Sequence, residues 1–183
     1  MAVLVRELNS RKAALWAQAE EPERWANGKF PFEILHDLFD DKDGLSFYET
    51  ETTETLELAR IAAALLFPSG AKSCRSPIES VHFRTIGVAE IEGLGLKVSA
   101  TPGLTKSKVV NELHREVSGI TGPSSIELAR VMCRNPAAPV SAIEVSRAIA
   151  RGMIENELPS DCLHKDVLDK MLRDKTARLQ WTP

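Results

Sequence analysis

The longest apolar stretch of the chain lies at residues 53–67, where leucine, isoleucine and alanine occupy most positions. Only Glu57 and Arg60 interrupt this apolar surface once the first turn has passed, and Pro68 ends the run. A helix that is apolar nearly all round is usually buried in the centre of a protein. We therefore predict a buried central helix at 53–67, around which the rest of the chain is organised.

Apolar residues recur at helical spacing in several other segments. Ser124–Glu127 and Ser141–Glu144 have the spacing of a capping box, in which a serine and a glutamate satisfy the free N–H groups at a helix start. Further helices are predicted at 3–20, 31–39, between 104 and 117, at 124–134, at 141–157 and at 161–179.

The stretch at 77–103 carries conflicting signals. A third capping box, beginning at Ser76, favours a helix. Residues 81–85, in contrast, alternate between apolar and polar as a strand does. We predict a short helix here, followed by a small β-hairpin near 88–100.

The fold class we predict is mainly α: a multi-helix globular bundle around the buried helix 53–67, with the small β-hairpin near 88–100. The composition favours this class, because aromatic residues make up only 5% of the chain while alanine and leucine are plentiful. The length of 183 residues suits a single domain. We divide it into an acidic N-terminal lobe (1–67), a linker (68–76) and a more basic C-terminal lobe (77–183).

Charge is distributed unevenly along the chain, although the net charge is only −3. Residues 1–70 carry 7 basic and 13 acidic side chains, whereas residues 71–183 carry 16 basic and 13 acidic ones. An uneven solvated surface explains this difference most simply. The alternative is that the C-terminal part meets an anionic partner.

The three cysteines, Cys74, Cys133 and Cys162, are odd in number and widely spaced. This usage is typical of reduced thiols inside cells rather than of a disulfide framework. The first residues lack the apolar core of a signal peptide, and the run at 53–67 is too short to cross a bilayer. We therefore predict a cytoplasmic protein with no membrane segment.

Patterns that carry catalysis or metal binding are absent from the sequence. The four histidines lie far apart in no zinc-binding pattern, and the cysteines form no Cys-x-x-Cys pair. There is neither a phosphate-binding glycine loop nor a nucleophile elbow, and a pairing of Cys162 with His164 has no local support. We predict no metal, no cofactor and no catalytic residue, and favour a protein that is not an enzyme.

Residues 88–99 contain two glycines and a lysine in close succession, Gly93, Gly95 and Lys97. This segment resembles the hairpin of helix-hairpin-helix domains. In that family, N–H groups of a glycine-rich backbone at a helix start hold a DNA phosphate, with a lysine nearby. The resemblance implies that these three residues contact nucleic acid. Pro102 departs from the family pattern because it would break the second helix, and a tight hairpin turn needs the same glycines.

Two pairs of arginines lie one turn apart on successive predicted helices: Arg130 with Arg134, and Arg147 with Arg151. Like charges at this spacing repel mildly unless acids or a ligand offset them. The guanidinium fork suits phosphate because it donates two parallel hydrogen bonds. We take these four arginines as candidate residues for binding an anion or a nucleic acid. A structural helical hairpin is the simpler interpretation.

These observations favour a non-catalytic cytoplasmic regulatory or adaptor protein that acts through a helical protein-binding surface. A protein partner is therefore expected first. One alternative is a nucleic-acid-binding protein that uses the basic C-terminal lobe. Another is an enzyme whose site is assembled from distant residues. The sequence leaves the oligomeric state open.

Overall fold

Two layers of helices enclose a six-stranded antiparallel sheet in the computed structural model of the chain, which describes residues 2–8, 10–20, 32–39, 44–135 and 137–174. The strands in chain order are β1 (Val3–Leu8), β2 (Leu45–Thr50), β3 (Val81–Gly87), β4 (Lys97–Ala100), β5 (His114–Ser118) and β6 (Ala138–Val140). Their order across the sheet is β4-β5-β2-β1-β3-β6, and β1 pairs with β2 on one side and β3 on the other.

The helices cover both faces of this sheet. In chain order they are α1 (Ser10–Ala19), α2 (Phe32–Phe39), α3 (Thr55–Leu65), α4 (Val88–Gly93), α5 (Lys108–Glu112), α6 (Gly122–Arg134), α7 (Ala142–Ile154) and α8 (Lys165–Arg173), with a 3-10 turn at Ser160–Cys162 before α8.

Each face of the sheet has its own apolar core. On the first face, α1, α2, α4 and α6 pack with Leu4 and Ile86 of the strands. On the second face, α3, α5, α7 and α8 pack with Val5 and Phe83. Successive side chains of a strand point to opposite faces, and Leu4 and Val5 of β1 therefore belong to different cores.

The prediction of a mainly α bundle is wrong, because a sheet rather than a helix lies at the centre. The error begins in the segment predicted as a helix at 3–20: Val3–Leu8 is a strand, and α1 starts only at Ser10. Leu4 and Leu8 are four residues apart, a spacing that fits one side of a helix and one face of a strand equally well. Since helices cover both faces of β1, its apolar and polar residues do not alternate cleanly.

The predicted buried helix at 53–67 is confirmed as α3, in which Leu58 and Ile61 are at most 1% exposed. The helix is not central, however, since it packs beside α7 on the second face of the sheet. One side of α3 is consequently open. Leu56 is 59% exposed, and Leu65 is only half-buried.

The hairpin predicted near 88–100 is also wrong. The segment forms helix α4 and then strand β4, which pairs with β5 instead of with the residues that precede it. Gly95 makes the turn between them with φ +74. The capping box at Ser76 starts no helix, because the chain continues into β3, which pairs with β1 over six residues. Long-range pairing has outweighed the local capping signal.

The helices predicted at 124–134 and 141–157 are confirmed as α6 and α7, although α7 ends at Ile154. The helix predicted between 104 and 117 is divided into the short helix α5 and the strand β5. The last predicted helix, 161–179, begins as α8 at Lys165, and its predicted end lies outside the described residues.

Both predicted lobes contribute to the one sheet, since β1 and β2 precede the linker and the other strands follow it. Within the described ranges, no helix is long and apolar enough to cross a membrane.

Candidate protein-binding groove

Helices α3 and α7 lie side by side, and a groove opens along their contact. Small residues face each other there: Ala59 of α3 is 2% exposed and Ala148 of α7 is 7% exposed. Small side chains at a helix contact let the two axes come close together. Two cavities of about 210 and about 230 Å³ lie along the contact, and both are lined by Leu56, Ala148 and Arg151. We call this pair of cavities the α3–α7 groove.

Leu56 is the exposed apolar side chain at the start of α3 that both cavities share. The sequence predicts it to be buried with the other leucines of the run, yet it is 59% exposed, whereas Leu58 is 1% exposed. A single exposed leucine is ordinary on a protein surface. In a groove between two helices, however, it is placed to contact an apolar group of a partner.

The turn that ends α7 builds one end of the groove. Asn156 has φ +58, the left-handed conformation common just after a helix. The N–H of Glu157 donates to the carbonyl of Gly152 at 2.7 Å. The N–H of Asn156 donates to the carbonyl of Met153 at 3.2 Å. These two bonds define a Schellman motif, which turns the chain so that Glu157 and Leu158 line the groove.

Arg60 of α3 ties that turn back to the first helix. Its Nε and Nη2 atoms donate to the two carboxylate oxygens of Glu157 at 3.0 Å each, a bidentate contact. Its Nη1 atom donates to Glu57 at 3.2 Å. The hydrogen bond to Glu157 is the main cause that raises the pKa of Arg60. The guanidinium therefore stays charged and holds this wall of the groove in place.

A row of four side chains runs along the open side of α7: Ile143, Arg147, Arg151 and Ile154. Their spacing of four, four and three residues places them on one side of the helix. The two isoleucines are 51% and 57% exposed. Arg147 and Arg151 also line the groove. The row thus has apolar side chains at its ends and guanidinium groups between them.

The other end of α7 is fixed by the capping box that the sequence predicts. The N–H of Glu144 donates to Ser141 Oγ at 3.2 Å, and the N–H of Ser141 donates to the Glu144 carboxylate at 2.6 Å. These bonds with Ser141 are the main cause that lowers the pKa of Glu144. Its carboxylate is therefore ionised and interacts favourably with Arg147.

The arginines predicted to bind an anion do not form one surface. Arg130 and Arg134 belong to α6 on the first face of the sheet, whereas Arg147 and Arg151 belong to α7 on the second face. Arg130 is paired with Glu127 at 2.7 Å. Each pair of arginines therefore stays together on its own helix, but the two pairs lie on opposite faces of the sheet.

Gly93, Gly95 and Lys97, which carry the resemblance to helix-hairpin-helix domains, lie apart from both arginine pairs. Lys97 begins β4, at the sheet edge opposite to β6, the strand that precedes α7. Gly93 ends helix α4, and Gly95 lies in the turn that follows it. The phosphate-binding arrangement of that family uses N–H groups at a helix start, whereas these glycines lie at and just after the end of a helix.

A small group of titratable side chains lies on the strands of the second face. The rings of Tyr48 and His114 meet edge to face with centroids 5.3 Å apart, and Thr101 Oγ1 lies 2.7 Å from His114 Nδ1. Burial, with a smaller effect of Glu7, raises the pKa of Tyr48 to about 12. Burial also lowers the pKa of His114. Both rings are uncharged at neutral pH and serve the packing of β2 against β5.

Among the described residues, no three histidine, cysteine, aspartate or glutamate side chains are grouped so that they could hold a metal ion. The chain matches no protein-family model, no curated protein and no solved structure. The fold and the site define a mixed α/β protein with an open groove between two helices. Its function is inferred from that groove.

Proposed function

We propose that this is a non-catalytic regulatory or adaptor protein of the cytoplasm that binds an amphipathic helix of a partner protein in the α3–α7 groove. The observation that carries the proposal is Leu56, a leucine 59% exposed in the groove between two packed helices. Partner helices recognised in this way place their apolar side chains into such grooves.

The edges of the sheet favour a helical partner over an added strand. Strand β4 has four residues and begins with Lys97, and β6 has three residues with Pro139 at its centre. Short edge strands that carry lysine or proline are poor templates for pairing with another chain. Helix surfaces are therefore the better docking sites in the described part of the molecule.

The dimensions of the α7 row suit a helix of modest length. Ile143 and Ile154 are eleven positions apart, which corresponds to about 16 Å along the axis at a rise of about 1.5 Å per residue. A partner helix of about three turns covers that distance. Its apolar side chains would contact Leu56 and the two isoleucines.

Arg147 and Arg151 give the partner its expected charge. Arg151 pairs with Glu155 at 3.0 Å, but the two side chains are 54% and 47% exposed. Exposed pairs at this helical spacing contribute only about 0.3–0.5 kcal/mol. A carboxylate of the partner can therefore replace Glu155 at little cost. We expect the partner helix to carry acidic residues beside its apolar ones.

Selection from a display library of helical peptides tests this proposal. The library carries apolar residues at helical spacing and random residues elsewhere, and the folded protein is the target. Enriched peptides should combine an apolar stripe with acidic side chains. Their affinity, measured by fluorescence anisotropy, should fall at least about tenfold on Leu56→Asp, because a carboxylate then lies in the apolar groove.

Leu172→Asp is the matched control for that substitution, since Leu172 is 43% exposed on α8 and lines neither cavity of the groove. Both variants should unfold like the parent, because both side chains are exposed. The proposal fails if no peptide is enriched, or if the two variants weaken binding equally.

A titration with mixed DNA and RNA at two salt concentrations separates the nucleic-acid function from the proposed one. Binding to nucleic acid through basic side chains weakens steeply with salt. We expect no such binding. If it occurs, and its salt dependence is reduced in Arg134→Ala and Arg151→Ala, the nucleic-acid function is supported instead.

A further inference from the structure

Two thiols and an ammonium group share a buried site next to the groove. Lys106 Nζ donates to Cys162 Sγ at 2.7 Å, and Cys162 Sγ donates to Asp161 Oδ1 at 3.5 Å. The N–H of Cys74 donates to the carbonyl of Cys162 at 2.7 Å. The N–H of His164 in turn donates to Cys74 Sγ at 3.1 Å. The imidazole of His164 takes no part, since its Nδ1 accepts from the start of α8.

A cleft of about 520 Å³ adjoins this site and is lined by Lys106 and Asp161. It shares Glu157 and Leu158 with the α3–α7 groove. Cys162 directly follows Asp161 and is 8% exposed. Both side chains that contact the Cys162 sulfur, Lys106 and Asp161, line this cleft, and a hydroperoxide is small enough to enter a space of that volume.

The third cysteine offers an internal comparison. Cys133 is partly buried in α6, and burial raises its pKa to about 11 despite the opposing effect of Arg84. Burial also raises the pKa of Cys74. Both residues are therefore thiols at neutral pH, whereas the sulfur of Cys162 has a lysine ammonium as its hydrogen-bond donor. The thiolate is the form of cysteine that reacts with peroxide.

We propose that Cys162 is a peroxide-sensitive cysteine, which reacts once its proton has left to solvent, and that Cys74 is its resolving thiol. The Cys162 sulfur attacks one oxygen of a hydroperoxide, the O–O bond breaks, and the sulfur becomes a sulfenic acid. The departing oxygen takes a proton, for which the Lys106 ammonium is the nearest donor, and leaves as water or an alcohol. The Cys74 thiol then attacks the sulfenic sulfur, an S–S bond forms and water leaves. The peroxide is reduced by two electrons, which the two thiols supply.

The backbone geometry suits this second step. Cys74 and Cys162 are neighbours, since the N–H of Cys74 donates to the carbonyl of Cys162 at 2.7 Å, and burial and, to a smaller extent, the Cys162 sulfur raise the pKa of Cys74; a disulfide needs Cα atoms about 4.4–6.8 Å apart. The sulfurs now point to different partners, Cys162 to Lys106 and Cys74 to the N–H of His164. The second step requires the two side chains to rotate away from these partners and toward each other.

Peroxide titration of the full chain tests the proposal. Folded protein is treated with hydrogen peroxide, remaining thiols are alkylated, and peptides are mapped by mass spectrometry. In the parent protein, the peptides that contain Cys74 and Cys162 should be found joined by a disulfide, with a mass loss of two hydrogens, while Cys133 stays reduced. In Cys74→Ser the sulfenic acid should persist and be labelled by dimedone at Cys162. Lys106→Met should slow oxidation at least about fivefold, because the ammonium beside the thiolate is lost.

Cys133→Ser is the control and should oxidise at the parent rate. The proposal is overturned if Cys133 is oxidised as fast as Cys162, or if the Cys74–Cys162 disulfide forms only in urea-unfolded protein. Mapping of the parent needs no substitution, so a variant that fails to fold does not affect that test.

Discussion

Arg84 of β3 points into the first layer of helices and is only 1% exposed. Its guanidinium donates to the carbonyl of Asn135 at 3.0 Å, pairs with Glu20 at the end of α1 and lies 5.4 Å from the ring centroid of Trp16. One side chain therefore holds α1, β3 and the end of α6 together.

Replacing Arg84 by alanine should lower the free energy of unfolding by about 2–5 kcal/mol, the range for large-to-small changes at buried positions. Glu20 is 40% exposed, so its lost ion pair adds little to this effect. The control is Arg130→Ala, which removes a pair whose side chains are 40% and 47% exposed and should cost less than about 1 kcal/mol. Urea unfolding of both variants measures the difference. Similar losses would mean that Arg84 is not a central contact.

The burial of Arg84 could not be predicted from its neighbours in the sequence. His82 and Arg84 alternate with Val81 and Phe83, as polar residues do on the solvent side of a strand. The alternation correctly indicates a strand at this point. It cannot show that a second helical layer covers the polar side, because α1 and α6 come from distant parts of the chain.

Glu7 makes stability depend on pH. Burial raises its pKa, and Arg75 partly lowers it. A carboxyl group with a raised pKa binds its proton more tightly in the folded state. Stability is therefore highest below the unfolded pKa and falls as pH rises through the raised value. Glu7→Gln should be more stable than the parent at neutral pH, and the difference should disappear below about pH 4.

Urea unfolding of Glu7→Gln and the parent at both pH values measures this effect. Glu92→Gln, at an exposed position of α4, is the control and should show no comparable gain. A gain for Glu7→Gln that persists in acid would mean that packing, and not the charge, is its cause.

At the scale of single elements, local capping chemistry predicted α7 well and α6 only in part. The box at Ser141 and Glu144 forms as the sequence indicates. In α6 the cap lies three residues earlier than predicted, at Thr121, and Ser124 closes the box. Pro123 is tolerated within the first turn, since its missing N–H would have no partner there in any case. Where several residues could cap a helix, the sequence therefore predicts the existence of the helix better than the residue at which it begins.

Asn156 in the Schellman turn of α7 gives a prediction for that element. Asn156→Val should lower the free energy of unfolding by about 1–2 kcal/mol, because side chains with a Cβ resist the left-handed conformation and asparagine tolerates it best. Asn156→Gly should be neutral or stabilising. Glu155→Val places a valine at the preceding residue, which has an ordinary φ of −81. It therefore measures the effect of a valine that is not in the left-handed conformation. Equal losses in the two valine variants, measured by urea unfolding, would contradict this role of the turn.

The molecule as a whole was predicted less well than its helices. Most helices follow from local periodicity, but the sheet depends on pairing between strands far apart in sequence, such as β1 with β3. Its strands are short or buried on both faces, so the simple alternation of an exposed sheet is weak. Counting aromatic residues was misleading, because this sheet contains few of them: in the described strands only Phe47, Tyr48 and Phe83 are phenylalanine, tyrosine or tryptophan.

The groove depends on the same long-range arrangement. The sequence indicates both helices, and it correctly marks most of α3 as buried. Which side of α3 stays open is decided by its packing against α7 and the sheet, and this places Leu56 outside the core. The two arginine pairs were predicted as candidates for binding an anion or nucleic acid, but the separation of α6 and α7 by the sheet is a property of the fold that the sequence does not show.

The most direct test of the central claim, that the α3–α7 groove receives a partner's helix, is hydrogen exchange of the full chain with and without a selected helical peptide. The account predicts slower exchange in α3, in α7 and in the turn up to Leu158, with α2 and α6 on the opposite face unchanged. Slower exchange confined to α6 or to strand β4 would contradict it.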